Sequence, residues 1–309
     1  MNAADDLAQY LASRRAEIDA ALLAALPCPP SCPASVADAM RYSVTAGGKR
    51  LRPILCLAAA EAVGGDRAMA MPAACALEFI HTYSLIHDDL PAMDDDTLRR
   101  GRPTLHVVAG EGMAILAGDG LLTEAFGLMS REPRGSDPAL LARKIRVISI
   151  VATGAGAAGM VGGQAIDLAC VSPAPDAPPA PPLDADGLRA MHARKTGALI
   201  RASATTGAVM GGGDEQHIDA IDRAAAEFGL AFQIVDDVLD VEGASADLGK
   251  TAGKDAAAGK PTYPALYGLD VSKSMARECL DRAATVLASI RLDDSRLMQI
   301  GRWIVERSH

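Results

Sequence analysis

Apolar residues along this chain recur at helical spacing and do not alternate. Leu7, Leu11, Ile18, Leu22 and Leu26 predict an amphipathic helix over residues 5 to 26, and the prolines of LPCPPSCP stop it. A second helical run leads into TAGGKRLRP. Pro53 then suits the first turn of a helix through ILCLAAAEAVGG that ends at Gly64 and Gly65. Glu78 to Pro103, EFIHTYSLIHDDLPAMDDDTLRRGRP, reads as an apolar helix running into five aspartates and then three arginines. HVVAGEGMAILAGDGLLTEAFGLMS continues as helix and breaks around Pro133 to Pro138.

Val147 to Ile166 carries no charge over twenty residues and includes GAGAAG. Its five glycines, with Ser149, Thr153 and Gln164, make it too weakly apolar for a membrane span. Without a β-rich strand and a crossover unit, the glycines do not make a dinucleotide motif. The run predicts a buried helix whose small residues let neighbours approach closely. Val171 to Asp186 holds six prolines and predicts a surface loop between helices, too short to demand a domain boundary. LRAMHARKTGALIRASATTGAVMGGG and HIDAIDRAAAEFGLAFQIVDDVLDV resume the helical pattern. Gly249 to Pro264 is a glycine- and lysine-rich loop, and a pair of helices closes the chain.

Composition narrows the class to all-α. Half of the 309 residues are hydrophobic but only 3% are aromatic, and alanine and leucine dominate over the β-branched residues that strands favour. A net charge of −9 argues against broad nucleic-acid binding. The six cysteines form no CxxC pair and read as reduced, structural thiols. Met1 to Asp6 is polar and acidic, unlike a signal peptide. These features predict a cytoplasmic protein with no transmembrane segment.

The charged residues turn the pattern into chemistry. A solvated helix face alternates sign at three- and four-residue spacing. Here Asp88, Asp89, Asp94, Asp95 and Asp96 form one block, and Arg99, Arg100 and Arg102 the next. Such segregation suits a polyanion carried on divalent metal. On an unbroken helix Asp88 and Asp94 would point roughly 240° apart. Pro91 predicts that the helix ends or bulges and brings Asp94 back toward Asp88. A second acidic motif, FQIVDDVLD, sets Asp236 and Asp240 on one helix face, about 6 Å apart along the axis. Lys49, Arg50 and Arg52 form a basic trio at a helix start, where the dipole does not favour them. Gln164 and Asp167 are candidates to face a site. Two acidic motifs on separate helices suit Mg²⁺ ions that also hold a diphosphate.

The blocks GGKRLRP, HTYSLIHDD, RRGRPT, GGQAIDL, HARKTGALIRAS, AFQIVDD and GKTAGKD, with the aspartate motifs DDLPAMD and DDVLD, give the chain a resemblance to a known family. It resembles the trans-isoprenyl diphosphate synthases, bacterial farnesyl diphosphate synthase type, through nearly all of its length. The resemblance implies a single domain over residues 1–309, an all-α bundle around a deep central cavity (the isoprenoid synthase fold), and a homodimer. It implies that Lys49, Arg52, His81 and Arg100 hold the diphosphate of isopentenyl diphosphate. Arg99, with three Mg²⁺ on Asp88, Asp94 and Asp236, would hold dimethylallyl or geranyl diphosphate, and Asp89 and Asp240 complete the two motifs as further candidate ligands. Arg99, Lys195 and Lys250 would stabilise charge on the departing diphosphate. Thr196 and Gln233 would offer polar atoms to the allylic cation, and Lys254 would close a lid loop. The released diphosphate would take the final proton. His81 falls on the family's substrate-contacting histidine; His87 reads equally as a partner of the site or as a packed core residue.

Tyr83, five residues before Asp88, lies about 7.5 Å deeper along the helix, and Ser84 about 6 Å. A bulky ring at Tyr83 as floor, with Ser84 leaving room above it, looks like a C15 product. The rivals are C20 or C10 synthases, a non-catalytic partner subunit and a terpene cyclase. A partner subunit tends to lose one aspartate motif and a cyclase needs no second diphosphate pocket, whereas this chain keeps both motifs and Lys49, Arg52, His81 and Arg100. The proline-rich segment 173–182 departs from the family, and the weakly basic ending ERSH leaves Arg307 without an assigned role.

Overall fold

Asp66 opens the 22-residue helix Arg67–Asp88 by accepting a hydrogen bond from Ala68 N at 2.9 Å, and Pro91 follows its end. A computed structural model describes residues 3–171, 183–245 and 262–307. In order these form α1 (Ala3–Ala25), α2 (Ala34–Val44), α3 (Leu51–Ala62), α4 (Arg67–Asp88), a hairpin of β1 (Leu98–Arg99) and β2 (Arg102–Pro103), α5 (Leu105–Ala109), α6 (Glu111–Arg131) and α7 (Pro138–Ala155). Then come α8 (Met160–Val171), α9 (Ala185–His192), a π-helical turn (Ala193–Gly197), α10 (Ala198–Met210), α11 (Glu215–Ser245), α12 (Tyr263–Tyr267), α13 (Leu269–Ala288) and α14 (Arg296–Glu306). The all-α class expected from composition is what the chain adopts.

The chain divides into two compact units, residues 1–149 with 206–213 and residues 150–205 with 214–309. In the first, α4 packs against α3 and α6, and its Leu77, Phe79 and Ile80 are fully buried with Ile54, Leu55 and Leu121. In the second, α11 runs along α13, and Met191, Ile234, Val235 and Tyr263 anchor the core. By length and composition alone, Arg67–Asp88, Glu111–Arg131 and the stretch Pro138–Cys170 could each cross a membrane. In Arg67–Asp88, however, 67% of the most apolar window is buried inside the protein.

Three boundaries differ from the sequence expectation. The uncharged run Val147 to Ile166 is not one buried helix. It breaks between Ala155 and Met160, and Ala157 and Ala158 are exposed, because glycines within it weaken the helix. The stretch expected as a loop over 171–186 is helical at its described ends, since α8 includes Val171 and Asp184 caps α9 by accepting from Gly187 N at 2.8 Å. The loop expected through Pro264 gives way to α12 at Tyr263. Residues 173–182, Lys250, Lys254 and His309 lie outside the described residues.

Candidate active site

Where α4 stops, the chain folds back on itself. Asp89 caps the helix, and Asp94 N donates to Asp88 O at 2.9 Å, so Pro91 returns Asp94 to Asp88 as its position predicts. The adjacent acids then diverge. Asp94 is exposed and Asp88 half-buried, while Asp89 is 4% exposed and accepts from Arg99 Nε at 2.7 Å. Burial pushes the Asp89 carboxyl upward, opposed by the hydrogen bond and charge of Arg99. The sequence assigned Asp89 to metal and Arg99 to a diphosphate; folding pairs them.

The arginines are separated by a tight hairpin. Arg99 pairs with Arg102 across it, and Arg100 and Gly101 both have positive φ, 53° and 75°, the conformation that two-residue hairpin loops require. This turn sends successive guanidinium groups to different partners. Arg100 donates to Gly47 O, and it lies so close to Gly48 that a Cβ there would collide with the guanidinium. Arg102 stacks over the Tyr42 ring at 4.4 Å. A cleft is lined by Tyr42, Thr82, Asp89, Arg99, Arg100 and Arg102. Nearby on α4, burial and the charges of Arg52, Arg100, Arg99 and Arg50 hold the His81 imidazole well below its ordinary pKa. It is neutral at physiological pH within a basic cluster, a surface suited to a polyanion.

Arg50 belongs to the framework. Its guanidinium is buried and donates to Asp19 Oδ1, Glu78 Oε1 and Val44 O at 2.7–2.8 Å. Lys49 beside it is exposed and Arg52 half-buried. His87 is partly exposed and packs on its neighbours. Its Nε2 lies 3.2 Å from Ile115 O, its ring meets Tyr83 edge-on at 5.7 Å, and any side chain at Gly118 would strike it. Tyr83 is 7% exposed, and Ser84 Oγ donates to His81 O at 2.9 Å.

In the second unit, Lys195 and Thr196 sit in the π-helical turn, a rare local form frequent at functional sites. Lys195 Nζ donates to the buried Asp167 at 2.5 Å, which places the acid singled out in GGQAIDL. Gln164 is half-buried one turn earlier. Gly163 leaves no room for a Cβ against the Lys195 backbone, so glycine lets α8 meet the turn. Burial lowers His192 to about 4, with Lys195 acting in the same direction against the pull of Asp167.

The second acidic motif lies on the continuous helix α11, with Gln233 half-buried one turn before Asp236 and Asp237. Asp236 and Asp240 are half-buried on one face; Asp237 is 5% exposed and accepts from Tyr263 N at 2.9 Å. Asp236 also receives a hydrogen bond from Arg307 at 2.6 Å. Sequence reasoning missed this pairing and those of Arg50 and Asp237, because no short-range spacing signals them. Among the described residues, no group of three or more His, Cys, Asp or Glu stands close enough to hold an ion alone. Two oxygen donors per motif nevertheless fit Mg²⁺, which takes one or two carboxylates and completes its shell with water and phosphate oxygens.

Residues 33–290 match the polyprenyl synthetase family model. Geranylgeranyl pyrophosphate synthase 11, chloroplastic, of Arabidopsis thaliana is 47% identical over 94% of this chain and 79% of its own. A dimethylallyltranstransferase of Fischerella ambigua is 44% identical over 98% of this chain and 84% of its own. The apo crystal structure of an FPP/GFPP synthase from Zymomonas mobilis superposes with a TM-score of 0.84 at 35% identity, covering 98% of this chain and 99% of that one. With its all-α fold, two acidic motifs and basic cluster, this chain belongs to the polyprenyl synthetase family, the trans-isoprenyl diphosphate synthases, and is a chain-elongating prenyltransferase.

Proposed function

We propose that the enzyme joins isopentenyl diphosphate head-to-tail to dimethylallyl and then geranyl diphosphate, and releases farnesyl diphosphate. The observation that carries the product length is Tyr83, whose ring is 7% exposed on α4 and braced edge-on by His87. It stands about 7.5 Å behind Asp88 along the helix. A prenyl tail directed down that face meets a fixed ring, and Ser84 keeps the space above it open.

In this reading Lys49, Arg52, His81 and Arg100 bind the isopentenyl diphosphate, with His81 as a neutral donor. Arg99 and Lys195 attend the allylic diphosphate, Thr196 and Gln233 offer polar atoms to the allylic cation, and Lys250 and Lys254 assist from outside the described residues. Asp88, Asp94, Asp236 and Asp240 would hold Mg²⁺, which when bound would neutralise the charge of the diphosphates. Asp89, turned inward to Arg99, serves the metal through that pairing. The six free thiols support a reducing, cytoplasmic setting. Exposed apolar residues on α5 and α6 support a homodimer.

The names of the relatives favour a second reading, a C20 product. Incubation with labelled isopentenyl diphosphate and each allylic diphosphate, with and without EDTA, separates the two. Farnesyl product that disappears with EDTA is expected, with longer chains from Tyr83→Ala and C10 from Ser84→Phe. A C20 product from the wild type establishes the second reading, and unchanged products in both variants remove Tyr83 as the floor.

A further inference from the structure

Arg307 follows α14 and its side chain is only 3% exposed. Withdrawing a guanidinium from water is costly unless its charge is met, and here it is met from one helical turn of α11. Nη2 donates to Asp236 Oδ1 at 2.6 Å and to Phe232 O at 3.0 Å, and the guanidinium carbon stands 3.9 Å from the centre of the Phe232 ring. The ring and carbonyl immobilise the cation, and the cation in turn holds one carboxylate oxygen. The Asp236 side chain is still 44% exposed. A group so enclosed is poorly placed to swing over a bound diphosphate.

We infer that Arg307 is a positioning residue for the second acidic motif, fixing the Asp236 carboxylate in the orientation that receives a divalent ion. This rests on the proposed Mg²⁺ role of Asp236. Two effects oppose each other. The positive charge of Arg307 repels an incoming cation, whereas its Nη2, held by the Phe232 carbonyl, orients the ligand in advance. Phe232 already offsets part of that charge through its ring and carbonyl. Groups that orient metal ligands typically change affinity about 10–100-fold, so orientation prevails.

The test is Mn²⁺ binding to the full chain without substrate, followed by electron paramagnetic resonance, together with the Mg²⁺ dependence of KM and kcat. Arg307→Gln should weaken Mn²⁺ binding about tenfold and raise half-saturating Mg²⁺ to match. Arg307→Lys, which keeps the charge without the planar group seated on Phe232, should recover part of the loss. Phe232→Leu removes the platform alone and should fall between wild type and Arg307→Gln; it decides the matter if Arg307→Gln does not fold. Unchanged or tighter Mn²⁺ binding in a folded variant overturns the inference. If the wild type binds no Mn²⁺ and Asp236→Asn changes nothing, the metal reading of the motif fails, and this inference with it.

Discussion

Arg50 stands between Lys49 and Arg52 in the sequence, yet its guanidinium points into the protein. The backbone there is left-handed, φ 51°, and the buried cation meets the equally buried Glu78. Breaking a buried pair by removing one partner leaves an uncompensated charge. Arg50→Met is therefore expected to destabilise the enzyme by about 3–5 kcal/mol, measured by urea denaturation, with Arg50→Met/Glu78→Leu recovering much of the loss. A loss under about 1 kcal/mol would mean that solvent reaches Glu78. The residue types of KRLRP and DDLPAMD predict an anion and a metal in sequence. Which neighbour turns inward was not legible, because Asp89 and Asp237 differ from Asp88 and Asp236 only in the partners that distant segments bring, Arg99 and Tyr263 N.

At the scale of the element, helical period and breakers were readable and the local deviations were not. Pro91 foretold the return of Asp94 because a proline's effect is confined to its own turn. The π-helical turn carrying Lys195 and Thr196 has no such marker. ARKTG is an ordinary helical sequence, and its extra residue is accommodated where α8 packs on it. Gly163 makes that packing possible. If Lys195 acts as proposed, Gly163→Ala should displace the turn and lower kcat by roughly ten- to a hundred-fold, the sensitivity expected of an ångström-scale shift in a catalytic group. The thermal midpoint should fall by only a few degrees, roughly as for a 1–2 kcal/mol loss. Wild-type kcat in the variant would mean that α8 yields without moving Lys195.

At the scale of the molecule, apolar side chains left at the surface bear on assembly. Val107 and Val108 on α5 and Ile115 and Leu116 on α6 are 43–55% exposed, and Ile145 on α7 is 70% exposed. Covering them in a second copy would remove apolar area from water. The proposed homodimer should sediment at micromolar concentration near twice the 31.9 kDa chain mass. Ile115→Glu/Leu116→Glu should shift it to the monomer. Sedimentation of the wild type as a monomer would exclude this interface.

The sequence by itself determined the all-α class, most helices, the two acidic motifs and the basic residues around them, because these depend on residue type and on spacings of a few positions. The tertiary structure decided which acid of each pair faces outward, how the hairpin distributes Arg99, Arg100 and Arg102, and that Arg307 reaches Asp236, 71 residues away in the chain. Such contacts are set by packing between elements, where burial makes an unpaired charge costly and so selects partners that no local pattern encodes.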